Sequence, residues 1–152
     1  MPHVAHYLGL LHKAQVDLAA AFREVAEGHR AEVDIFYICH KLARECDGHA
    51  KQLKPFTERY RRDAPEQPDR LHSEIFRGSR SGALGLLRDL QDLYLMAAEC
   101  DITWTLIGQA AQALRDDDLL NVVTTNEHAT TIQLKWLRTR MKQAAPQALV
   151  VA

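Results

Sequence analysis

Along the first quarter of the chain, apolar residues recur at alternating steps of four and three. Val4, Leu8, Leu11, Leu18, Phe22 and Val25 share one stripe, and Gln15 fills its single polar step. That period belongs to an amphipathic helix, predicted over about 3–27. Gly28 stands just past the stripe, where a left-handed C-terminal cap would end the helix. The same alternation resumes in Ile35, Cys39, Leu42, Cys46, His49 and Leu53. It predicts a second helix over about 32–54, closed by Pro55, which lacks a backbone donor and crowds the preceding turn. The turn between the two is short, so they run antiparallel.

From Thr57 to Arg80 the text changes to prolines (Pro65, Pro68) and many charges, with a short helical fragment expected from Leu71 to Phe76 and closed by Gly78. This is the one long connection, at about 57–80. Ser81 is placed to cap a third helix over about 82–114, with the stripe Leu86, Leu90, Leu93, Ala97, Asp101, Trp104, Gly108 and Ala111. The run Asp116, Asp117, Asp118 suits the positive end of a fourth helix, over about 118–143. Helix 4 carries two adjacent stripes, one through Val122, Ala129 and Trp136, the other through Leu119, Val123, Thr130, Leu137 and Met141, and the pattern does not choose between them. The tail from Ala144 to Ala152 is small, apolar and unperiodic, suited to docking on the bundle or on a partner. No two-residue alternation bounded by turns signals a strand. The expected fold is therefore all-α: one antiparallel four-helix bundle spanning residues 1–152, with a long crossover between helices 2 and 3.

Composition removes several function classes. The chain is 47 % apolar and 26 % charged, and its 19 basic and 20 acidic residues give a net charge of -1. That balance leaves no concentrated basic face for nucleic acid or an anionic membrane. No apolar run reaches the roughly 20 residues of a membrane span, and the N-terminus lacks the pattern of a signal peptide. A cytoplasmic protein is expected. Three cysteines, an odd number set among apolar neighbours, read as reduced core thiols.

The informative positions are the polar ones on the inner stripes. In a hairpin, residues equidistant from the turn face one another, which levels Gln15 with Cys46 and Asp101 with Thr130 or Gln133. A mid-height layer drawing on all four helices follows: Gln15, Cys46, His49, Asp101, Thr130 and Gln133. These six are the candidate pocket for a small molecule. His49 and Asp101 are its candidate metal ligands.

Two hairpins of long helices joined by one crossover resemble the layout of ferritin-like bundles. In the di-metal members of that superfamily a Glu on helices 1 and 3, and Glu-x-x-His on helices 2 and 4, converge at mid-height. The stretch Leu42 to Leu53 resembles the helix 2 motif, with His49 in place and Cys46 where the Glu would stand. Gln15 and Asp101 occupy the helix 1 and helix 3 positions. On helix 4, Thr125 with His128 keeps the histidine, whereas Gln133 with Trp136 keeps the height.

Two functions follow as expectations. One is a ferritin-like bundle that has lost most di-metal ligands and acts as a binding or interaction module, with no cofactor, as a homodimer or larger assembly. Extra apolar residues on helix 3 (Leu95, Met96, Ile102, Leu106 and Ile107) support association. The other is an oxidoreductase or thiol transferase using His49 and Asp101 around an iron, manganese or zinc ion. A three-histidine arrangement resembling DinB-like bundles would use His49 and His128, but Ile132 stands where its third histidine is wanted. Glu24 and Glu99 fall nearly opposite their stripes and read as surface residues. His3, His6 and His12 read as exposed and uninvolved.

Overall fold

The computed structural model describes residues 3–61 and 74–151. Four helices account for most of them: α1 (Val4–Gly28), α2 (Val33–Arg61), α3 (Gly82–Leu114) and α4 (Asp117–Pro146), followed by one π-helical turn, Gln147–Val151. Helix α1 packs on α2 and α3 on α4; the hairpins then mate through α1 with α3 and α2 with α4. This leaves α1 diagonal to α4 and α2 diagonal to α3.

Polar contacts at the two ends fix the direction of each helix. At one end, Arg59 and Tyr60 of α2 donate to Asp116 in the α3–α4 turn, at 2.8 and 2.6 Å. At the other, His29 after α1 meets Asp89 near the start of α3, and Arg140 late in α4 reaches Asp34 at the start of α2. The chain between α2 and α3 thus links opposite ends, and every packed pair of helices is antiparallel.

The stripes of helices 1 and 2 are buried at every predicted position. Helix α4 turns its second stripe inward, with Leu119, Val123, Thr130 and Leu137 buried alongside Asn126 and Gln133. All three cysteines are buried and unpaired.

Several boundaries differ from those predicted. Helix α2 runs through Pro55 to Arg61. Proline inside a helix costs about 3 kcal/mol, yet Phe56 beyond it is buried and Arg59 and Tyr60 anchor on Asp116, which offsets the lost backbone bond. Helix α4 continues past Gln143, and the tail touches α3 as well as α4 while Leu149, Val150 and Val151 stay exposed. Gly28 is the last residue of α1 rather than a left-handed cap; its missing side chain admits the Ser79 hydroxyl, which would lie 2.5 Å from a Cβ there. The left-handed residue is Arg115, at φ 55°, closing α3. Ser81 stands at the N-terminal cap of α3, but its hydroxyl makes no capping bond. Asp116 does cap α4, accepting from the Leu119 amide at 3.1 Å. Of the predicted Leu71–Phe76 fragment, 71–73 lie outside the described residues, and 74–76 are not helical. No described helix is long and apolar enough to cross a membrane.

Candidate functional site at mid-height

The steady alternation on α1 that buries Leu11 and Leu18 also buries Gln15, whose amide is fully enclosed. On α2 it buries Cys46 and, one turn on, His49. The Gln15 oxygen lies 3.4 Å from His49 Nδ1; since an amide oxygen only accepts, Nδ1 carries the proton and donates. From α4, Gln133 lies against the Cys46 thiol, with Sγ 3.9 Å from its oxygen and 3.8 Å from its nitrogen, and also donates to Glu45 at 3.4 Å. Thr130 is fully buried and turns its hydroxyl back to the Asn126 carbonyl at 2.8 Å. The amide of Asn126 donates to Gln52 at 2.9 Å. Of the six predicted residues, Gln15 meets His49 and Cys46 meets Gln133, while Thr130 is buried on α4 and bonds within its own helix.

Asp101 does not join them. After Ala97 the buried stripe of α3 continues through Cys100, Trp104, Ile107 and Ala111, so the step past Ala97 is three rather than four. A turn of 3.6 residues cannot hold one face over two consecutive steps of four without drifting. Asp101 is left half-buried on the flank, where burial first, and the Glu127 carboxylate second, push its carboxyl up from the ordinary range. What α3 delivers to mid-height is the indole of Trp104, fully enclosed and edge-on to the His49 ring at 6.1 Å between centroids.

The layer is electrically neutral. Burial lowers His49 to about 4, so the ring is uncharged at neutral pH. Burial likewise raises Cys46 to about 12, against the lowering effect of Gln133, and the thiol keeps its proton. Among the described residues, no three His, Cys, Asp or Glu side chains converge as a metal site. The ferritin-like di-metal centre needs several anionic oxygens to balance the metal charge. The residues present do not fit it. Two enclosed N–H groups of the layer, Gln15 Nε2 and Trp104 Nε1, have no acceptor among the described residues.

A second polar cluster escaped the sequence reading. Asp89 and Asp92 on α3 are buried beside the stripe rather than on it. Asp89 Oδ2 lies 2.8 Å from His29 Nε2 and accepts from the Arg80 amide at 2.9 Å. The Arg80 guanidinium donates to both carboxylates, at 2.7 and 3.0 Å, and Arg88 pairs with Asp92 at 3.3 Å. Gly85 permits this, because a Cβ there would meet the Arg80 Cβ at 2.9 Å. The legible signal was the Asp-x-x-Asp spacing of Asp89 and Asp92 near the start of an apolar helix.

Outside the layer, a cavity of about 500 Å³ lies between α1, residues 74–76 and α3, and its walls include Asp17, Glu24, Glu74 and Glu99 with Lys13 and Phe76. Glu24 is exposed, as predicted, and Glu99 is half-buried. His3 is exposed, but His6 and His12 are half-buried, contrary to expectation. An apolar groove of about 320 Å³ runs between the start of α1 and the end of α3, lined by Val4, Tyr7, Leu106, Ile107, Ala110 and Leu114 among others. Comparison with known protein families, with characterised proteins and with solved structures finds no match to this chain.

Proposed function

We propose that the chain is a four-helix module of ferritin-like layout in which a neutral hydrogen-bonding layer stands where that layout would hold metal. It acts by binding rather than by redox chemistry. The observation that carries this reading is the donor set at mid-height: an uncharged imidazole, a protonated thiol, two carboxamides, a hydroxyl and an indole, with Asp101 on the flank. Such groups select a ligand or fix helix register; they do not neutralise a divalent ion.

Association is the second part of the proposal, and the partner is another copy of the chain. Leu95, Ile102 and Leu106 are 42–55 % exposed on α3, with Leu106 in the wall of the apolar groove, and the helix carries no basic residue from Leu93 to Leu114. An apolar patch without basic residues can bury itself symmetrically against its own copy.

Thermal unfolding with Fe(II), Mn(II) or Zn(II) tests the first part. A metal bound only by the folded state raises its stability by about 2.7 kcal/mol at 100 times its dissociation constant. No such rise is expected, and one that depends on His49 would establish the metal-enzyme reading instead. Light scattering tests the second part, with a dimer expected at micromolar concentration and a monomer counting against it.

A further inference from the structure

Resting on the neutral-layer reading above, we propose that Gln15 and Trp104 take an uncharged oxygen acceptor into the middle of the bundle, the smallest candidate being a single water molecule. Both side chains are fully enclosed, and each carries an N–H group to which no described protein atom offers an acceptor. They come from different helices and are joined through His49, which touches the Gln15 oxygen and faces the Trp104 ring. Buried donors in folded proteins are almost always matched, by ordered water where protein groups are lacking.

Charge narrows the ligand. No cationic side chain belongs to the layer, so an anion would be stripped of water with nothing to balance it, and a cation would be repelled by the two N–H groups that lack an acceptor. An oxygen with free lone pairs and no net charge, in water or in a small carbonyl or hydroxyl compound, meets both demands. Size points the same way, since Gln15, Cys46, Trp104, Thr130 and Gln133 are all at most 1 % exposed.

The test uses the intact chain labelled with ¹⁵N, purified from cells. The indole N–H of Trp104 is identified as the resonance that persists in Trp136→Phe, a change at a half-buried position. It is expected to show a dipolar cross-peak to water with the sign of a long-lived, bound molecule, and Gln15→Leu is expected to abolish it. Native mass spectrometry separates the two sources. The cross-peak with the mass of the bare chain identifies water. A small organic mass that Gln15→Leu removes identifies a carbonyl or hydroxyl ligand, and both outcomes support the inference. An indole with neither cross-peak nor added mass overturns it while leaving the neutral-layer reading intact. Added mass from one or two metal ions, lost in His49→Gln, overturns that underlying reading instead.

Discussion

The imidazole of His29, just beyond α1, lies 2.8 Å from the carboxylate of Asp89 on α3, and both are almost wholly buried. The same carboxylate receives the amide and guanidinium of Arg80, so one side chain joins the α1–α2 turn, the end of the crossover and the start of α3. Removing it leaves a buried imidazole and a backbone N–H unmatched. Asp89→Ala is expected to cost about 2 to 4 kcal/mol in urea unfolding. Arg80→Ala should cost less, about 1 to 2 kcal/mol, because its side chain is partly exposed and water can replace it. A change below about 0.5 kcal/mol in Asp89→Ala would show that the cluster does not hold the hairpins together.

His49 gives the layer a pH signature. Its folded value of about 4 lies below the unfolded 6.5, so the unfolded chain binds the extra proton first as pH falls. Stability from this group is complete above about pH 6.5 and is lost progressively down to about pH 4, by roughly 3 kcal/mol. The difference in unfolding free energy between wild type and His49→Gln is expected to change by that amount across the window. A flat difference would mean that the ring is hydrated in the folded state.

Helices 1 and 2 were legible because their stripes hold a strict alternation of fours and threes from Val4 to Val25 and from Ile35 to Leu53, so each polar exception, Gln15 or His49, could be assigned to the interior. Helix 3 was not, because it is apolar on more than one face: Cys100 and Asp101 are adjacent, and either continues a plausible stripe until Trp104 and Ile107 are given their places. The continuation of α2 past Pro55 depends on Asp116, a residue more than fifty positions away, which no local pattern can report. The His29–Asp89 contact, sixty positions apart, has the same character. The Arg80 contacts do not, since they reach only nine and twelve residues along the chain to Asp89 and Asp92.

The cysteines should be chemically silent in the folded protein. Burial raises Cys39 and Cys46 to about 12 and Cys100 well above its ordinary range, so none is a thiolate at neutral pH. A maleimide or aromatic disulfide reagent is expected to label no cysteine within minutes under native conditions and all three in denaturant. Fast native labelling of Cys46 would show the mid-height layer to be open to solvent and to reagents.

The sharpest contrast lies between two neighbours on α3. If Trp104 rather than Asp101 completes the layer, then changing the acid should be nearly free and truncating the indole should not. Asp101 faces Glu127, and its carboxyl is raised by burial and by that like charge; Asp101→Asn removes the repulsion and is expected to change stability by less than about 0.5 kcal/mol, in the stabilising direction if either. Trp104 is fully buried against His49, so Trp104→Ala should cost about 3 to 5 kcal/mol through the cavity it leaves. The two effects are separable because Asp101 is exposed enough for solvent to accommodate an amide. Paired urea titrations decide the matter. A large loss in Asp101→Asn with a small one in Trp104→Ala would rotate α3 by about 100 degrees, one residue's turn, and return the carboxylate to the interior.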